Sequence, residues 1–175
     1  MGDWQGPDTR HLRDIWDVEH GAPDQEQPLA SRIRGVDEFL NAIARDPARC
    51  AMLVVDIQDT FCLNAQEPVE DVSGRIHDYT PAFREAGVSI YQIVMDNKWI
   101  SGAEPDLYQL PPEKRDYRFE KTKASAFQNS AMTQQLSENG HDLLLICGVY
   151  LGACVQATYT DALEGKYGRF EVGVL

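Results

Sequence analysis

Three short stretches hold the residue types that acyl-transfer chemistry needs. They are Asp56-Ile57-Gln58-Asp59-Thr60-Phe61, Lys121-Thr122-Lys123-Ala124-Ser125-Ala126-Phe127 and Gly148-Val149-Tyr150-Leu151-Gly152-Ala153-Cys154-Val155. Cys154 follows a glycine-flanked turn and stands just inside a predicted helix N-terminus, where unpaired amides and the helix dipole favour a thiolate. A nearby ammonium lowers a thiol pKa from about 8.5 toward the physiological range, and a carboxylate at a strand end is placed to take the thiol proton. Each residue has a plainer reading as well. A free cysteine is commonly a small buried hydrophobe, Asp56 could cap a helix, and Lys121 and Lys123 share strand parity, so alternation alone does not choose between them.

Each of these groups sits at or near the C-terminal end of an apolar run, where open parallel sheets gather their sites. Ala51-Met52-Leu53-Val54-Val55 is continuously apolar, as a strand covered on both faces must be. A helix from Ser31 carries Ile33, Val36, Phe39, Leu40 and Ile43 at helical spacing and ends at Asp46-Pro47. Val69, Val72, Ile76, Tyr79 and Phe83 predict a second helix that Gly87 stops and Pro81 should kink, followed by a strand over Val88 to Met95. Asp96 to Glu120 has little periodicity and reads as a long substrate-covering loop. Asn129 caps a helix with Met132 and Leu136 that stops at Gly140, before a strand over Leu143 to Cys147. Gly152 to Glu164 predicts a helix with Val155, Thr158, Ala162 and Leu163 inward and Gly165 as stop, and a strand over Phe170 to Leu175 follows. The expected fold class is α/β, a three-layer αβα, Rossmann-like open and mostly parallel sheet with helices on both faces.

The chain has 175 residues, 43% of them hydrophobic, which fits one compact domain over residues 31–175 behind an N-terminal arm of residues 1–30. That arm is rich in Asp, Glu, Gln, Pro and Gly with isolated aromatics, and arms of this kind often mediate oligomer contacts. A net charge of −12 argues against nucleic acid and against an anionic membrane surface, leaving a small-molecule substrate as the expected partner. No basic, apolar leader pattern is visible at the start, and the run from Leu143 to Val155 is shorter than the roughly 20 residues that span a bilayer. Cys50, Cys62, Cys147 and Cys154 form no CxxC and no small-secreted-domain pattern, which fits a reducing cytoplasmic location. His11, His20, His77 and His141 are scattered without metal-ligand spacing, so no metal and no cofactor is expected.

Taken together, Val54 through Phe61, Lys121 with Ser125-Ala126-Phe127, Gly148-Val149-Tyr150 through Cys154-Val155, and then Thr158 and Asp161-Ala162 resemble the isochorismatase-like cysteine hydrolase superfamily, over roughly residues 50 to 175. The resemblance implies a triad in which Asp56 takes the thiol proton, Cys154 attacks a carbonyl carbon and Lys121 stabilises the thiolate and developing charge. The family's spacing of lysine to Ser-Ala-Phe maps to Lys121 rather than Lys123. The resemblance also implies a cis peptide at Val149-Tyr150, an oxyanion hole made by the Tyr150 and Cys154 amides, and homo-oligomers, dimers or larger. Gln58, Phe61, Trp99 and Tyr150 are the candidate substrate contacts. Phe61 and Phe127 are residues more often found in a core than in a substrate wall, and Trp99 and Tyr108 could merely anchor the long loop.

The departures narrow the chemistry. Asp96-Asn97-Lys98-Trp99 stands where nicotinamidases carry metal-binding histidines, and lysine cannot ligate as histidine does, so that activity is disfavoured. Some isochorismatases place glycine where this chain has Cys154. The cysteine therefore favours cleavage of a small amide or related C–N bond through a thioester. The first alternative is vinyl-ether hydrolysis of isochorismate with Asp56 as acid. The second is a noncatalytic binding or scaffold role on the same fold. A flavodoxin-like cofactor carrier ranks lower, since no Gly-rich phosphate loop follows a strand. On sequence grounds, replacing Asp56 with Asn is expected to leave folding nearly intact.

Overall fold

The structure, a computed structural model, describes residues 36–58, 67–96, 113–149 and 151–174. Five strands form its sheet: β1 (Cys50–Val55), β2 (Ser89–Met95), β3 (Tyr117–Lys121), β4 (Leu143–Gly148) and β5 (Glu171–Val174). Their order is β3-β2-β1-β4-β5 and every pairing is parallel. Four α-helices accompany them: α1 (Val36–Arg45), α2 (Glu67–Ala86), α3 (Ser130–Glu138) and α4 (Gln156–Glu164). The α/β class expected from the sequence is the one observed.

β1 and β4 are buried along their whole length, which is why both read as unbroken apolar runs. Side chains alternate between the two faces of the sheet. Met52, Val54, Ile90, Leu143 and Leu145 pack with Ile43, Ile76 and Phe83 on the side of α1 and α2. Leu53, Tyr91, Ile93, Leu144 and Ile146 pack with Met132, Leu136, Ala162 and Leu163 on the side of α3 and α4. Burying a Leu, Ile or Phe side chain contributes about 1.5–3 kcal/mol, so these two layers are the main stabilising force.

The helix punctuation is local chemistry. Asn129 caps α3 by accepting from the Met132 amide at 2.9 Å, and the same side chain donates to the Glu120 carbonyl at 2.7 Å, fixing the end of β3. Gly87 ends α2 at φ 94° and Gly165 ends α4 at φ 70°, values in the left-handed region that glycine enters without steric cost. α2 continues through Pro81 as one element, so the proline that was expected to kink it does not divide it.

One strand differs from the sequence reading. The stretch from Asp96 to Glu120, expected to be loop throughout, ends in β3, whose alternating burial runs from Tyr117 to a buried Lys121. It is an edge strand of five residues, so its alternation is too short to stand out beside the prolines that precede it. Its entry is fixed by a buried fork: Arg84, 5% exposed, donates through Nε to Asp116 at 3.1 Å, and Gln92 donates to the same carboxylate at 2.9 Å.

Gly148 closes the central pair of strands. It lies opposite Val55 at φ 149°, and a Cβ there would stand 2.1 Å from the Val55 carbonyl oxygen. The Val149 amide then donates to that same oxygen at 3.2 Å. Gly148→Ala would force β1 and β4 apart at the end that carries the functional groups. We expect it to lower the unfolding free energy by at least about 2 kcal/mol, measured by urea denaturation; an unchanged midpoint would contradict this account of the strand tips.

Candidate active site

Asp56 is the first residue beyond β1. Its amide still donates to Ile93 of β2 at 2.8 Å, but its φ of 60° turns the chain sharply out of the sheet. Left-handed backbone costs a non-glycine residue about 1 kcal/mol or more, and Asp is among the few that tolerate it. The turn is closed by the Gln58 amide, which donates to the Asp56 carbonyl at 2.9 Å. The side chain of Gln58 then binds both backbone groups of Met95: Oε1 accepts from its N–H at 2.8 Å and Nε2 donates to its carbonyl at 3.3 Å. Gln58 is buried and acts as a brace between the tips of β1 and β2, not as a group held out toward solvent.

Lys121 is the last residue of β3. It pairs with Met95 in register, and its carbonyl accepts from Asp96 N–H at 2.7 Å. β3 lies two strands from β1, about 10 Å away at ordinary strand spacing, and the long lysine side chain covers that gap. Its Nζ donates to Asp56 Oδ2 at 2.9 Å and to the Lys123 carbonyl at 3.3 Å. Both side chains of the pair have no exposed surface. Of the two lysines, Lys121 is the one whose ammonium bonds Asp56, while Lys123 is exposed.

Cys154 comes from the far side of β1. The chain leaves β4, and Leu151–Val155 form a wide helical turn that runs directly into α4. Cys154 is half-buried in that turn, and its thiol lies within interaction reach of both Asp56 and Lys121. Asp56 Oδ1 is buried and has no hydrogen-bond partner among the described residues.

Burial raises the Asp56 carboxyl above the ordinary carboxylate range, opposed by Lys121, Cys154 and the Met95 backbone. Burial also raises the Cys154 thiol, and Asp56 pushes it further in the same direction, while Lys121 opposes both. This corrects the expectation from helix dipole and ammonium alone. Desolvation and the carboxylate together push the thiol up against the pull of the ammonium.

A cleft of about 570 Å³ opens between the segment after β3 and α4, lined by Lys123, Ala124, Ser125, Gln128, Ala153 and Gln156 among others. Phe127 is buried in the core against Tyr167 and Phe170, so it forms no part of the site. Phe61, Trp99, Tyr108 and Tyr150, the cis peptide expected at Val149-Tyr150 and the arm of residues 1–30 lie outside the described residues. Among the described residues, Cys50, Cys147 and Cys154 form no disulfide. Among the described residues, no cluster of three or more His, Cys, Asp or Glu could hold a metal ion, and no helix is long and apolar enough to cross a membrane.

Fold and site together define a parallel α/β protein that gathers a carboxylate, an ammonium and a thiol at the carboxyl ends of three strands. The isochorismatase domain family matches residues 50–168, and the chain belongs to this family of hydrolases. Enterobactin synthase component B of Escherichia coli is 26% identical over 154 residues, which cover 74% of this chain and 53% of that protein. The chain thus spans about half the length of the curated relatives it matches. Among solved structures, a cysteine hydrolase from Pseudomonas syringae pv. phaseolicola aligns with a TM-score of 0.64 at 22% identity, over 74% of this chain and 71% of that one. N-carbamoylsarcosine amidase from Thermoplasma acidophilum aligns with a TM-score of 0.63 at 22% identity, over 72% and 80%. At these identities the likeness speaks for the fold.

Because the Lys121 ammonium is wholly buried against Asp56, the expectation that Asp56→Asn folds almost as well requires correction. Removing one partner of a buried ion pair costs about 3–5 kcal/mol, since the other charge is left uncompensated. We expect Asp56→Asn to lose stability on that scale at neutral pH and Asp56→Asn/Lys121→Met to recover most of it. Equal stability of the single variant and the parent in urea titrations would refute this.

Proposed function

We propose that the protein hydrolyses a small amide or related C–N bond through a thioester on Cys154, with Asp56 as base and Lys121 as its electrostatic partner. The observation that carries the reading is the meeting of the three groups: Lys121 fixed on Oδ2 of Asp56, Oδ1 without a hydrogen-bond partner among the described residues, and the thiol within electrostatic reach of both. As Sγ bonds to the substrate carbonyl carbon, its proton passes to Asp56 Oδ1 and negative charge gathers on the carbonyl oxygen. The Tyr150 and Cys154 amides are the proposed donors to that oxygen. The C–N bond then breaks, and Asp56 returns the proton to the leaving nitrogen. Water attacks the thioester with Asp56 again taking a proton, which restores the thiol and releases the acid. Phe61, Trp99 and Tyr150 are proposed to contact the substrate, with Gln58 holding the base rather than the ligand.

The raised proton affinity of Asp56 also favours a second reading, in which it protonates isochorismate as an acid and the thiol is spectator. One substitution separates the two: Cys154→Ala abolishes amide turnover on the first reading and leaves substantial vinyl-ether hydrolysis on the second. Full amide hydrolysis by that variant would overturn the thioester mechanism.

The pH dependence follows from the signs. Asp56 must be ionised to act as base and its pKa in the fold is raised, so kcat/KM should fall on acidification at a pH above the ordinary aspartate value of about 3.9. Alkylation by iodoacetamide needs only the thiolate, which Asp56 opposes and Lys121 favours. At a temperature where both variants are folded, Asp56→Asn should therefore move the alkylation midpoint of Cys154 to lower pH and Lys121→Ala to higher pH. Peptide mapping after brief labelling reads both; midpoints unmoved in either variant would count against the coupled site.

A further inference from the structure

Lys121 ends β3 and Cys154 lies in the turn beyond β4, and these strands are not neighbours: β3 and β4 are separated by β2 and β1. The sheet ladder alone therefore does not fix their separation, which at ordinary strand spacing is about 14 Å between backbones. The turn bearing Cys154 and the segment following Lys121 meet instead above the α3 and α4 face, at Thr158. This side chain has no exposed surface. Its Oγ1 donates to the Cys154 carbonyl at 2.7 Å and accepts from the Ala126 amide at 3.0 Å. A threonine hydroxyl has one proton and two lone pairs, so both bonds form at once.

The Ala126 end of this bridge leads back to the ammonium. Ser125 Oγ accepts from the Phe127 amide at 3.2 Å, which shapes the turn, and the Lys123 carbonyl accepts from Lys121 Nζ at 3.3 Å. A continuous path of hydrogen bonds and short backbone thus runs from the Cys154 carbonyl through Thr158, Ala126 and Lys123 to Lys121 and Asp56. A hydroxyl four residues beyond the cysteine usually does no more than bond back along its own helix. Here it also holds a second segment that carries another member of the site.

We propose that Thr158 is a positioning residue that sets the placement of the Cys154 thiol against the Lys121–Asp56 pair. The proposal rests on the triad reading above. The alternative is that Thr158 only packs between α4 and the core, in which case valine, of the same shape, should replace it without functional loss.

The test follows Cys154 alkylation by iodoacetamide across pH in Thr158→Val and Thr158→Ser, with thermal melting as the check on folding. We expect the folded valine variant to alkylate at least about tenfold more slowly at neutral pH with a displaced pH midpoint, as small misplacements of reacting groups can cost up to about a hundredfold. The serine variant, which keeps both bonds, should restore rate and midpoint. A folded valine variant with unchanged rate and midpoint would overturn the proposal. If valine does not fold, Thr158→Ala is measured in the same way. In the unsubstituted protein, native-state hydrogen exchange should show a protected Ala126 amide; exchange at a free-loop rate overturns the bridge without any variant. If Asp56→Asn leaves the Cys154 profile unmoved, the triad reading fails and Thr158's role with it. If Asp56→Asn moves the profile and Thr158→Val does not, Thr158 alone fails.

Discussion

Everything at the carboxyl end of the sheet depends on one buried ion pair, Lys121 with Asp56. Two charges removed from water cost several kcal/mol each before their attraction offsets it, so such a pair persists only where the backbone on both sides is held. The surroundings meet that demand. Gln58 binds the Met95 backbone, the Asp96 amide is bonded to the Lys121 carbonyl, Asn129 holds Glu120, and the absent Cβ of Gly148 lets β1 and β4 close. These contacts lie on different elements, and together they fix the two charged side chains.

The same pair bears on the thiol from two sides, since Asp56 raises its pKa and Lys121 opposes the rise. A cysteine at a helix start beside an ammonium would ordinarily be acidic, but here the ammonium is already engaged by a carboxylate. What Cys154 meets is a carboxylate whose upward push precedes the opposing pull of the ammonium, with burial the largest cause of all. Reactivity of this kind is conditional: the sulfur becomes strongly nucleophilic only as its proton leaves.

The parts of this arrangement legible in the sequence are those encoded in short runs. β1 and β4 announce themselves as unbroken apolar stretches, Asn129 and Gly165 mark helix ends, and Asp56, Lys121 and Cys154 stand at strand ends within motifs that can be matched to a family. The obscured parts depend on partners distant in the chain. β3 is half-exposed and brief, so its alternation is hidden beside the prolines before it. Gln58 looks like a substrate ligand until Met95 is placed beside it, and Thr158 looks like an inward helix residue until Ala126 arrives. The rise of the Cys154 thiol is hidden for the same reason: dipole and ammonium are local signals, whereas desolvation is a property of the assembled core.

The two oxygens of Asp56 are not equivalent. Oδ2 is tied to Lys121, while Oδ1 lies buried with no hydrogen-bond partner among the described residues. On the proposed chemistry this separates the holding of the base from its working stroke. A proton can arrive at and leave Oδ1 while Oδ2 stays attached to the ammonium, so the carboxyl group need not rotate or let go between half-reactions. The side chain behaves as a fixture with one moving face, and its cycle demands little reorganisation of the surrounding sheet.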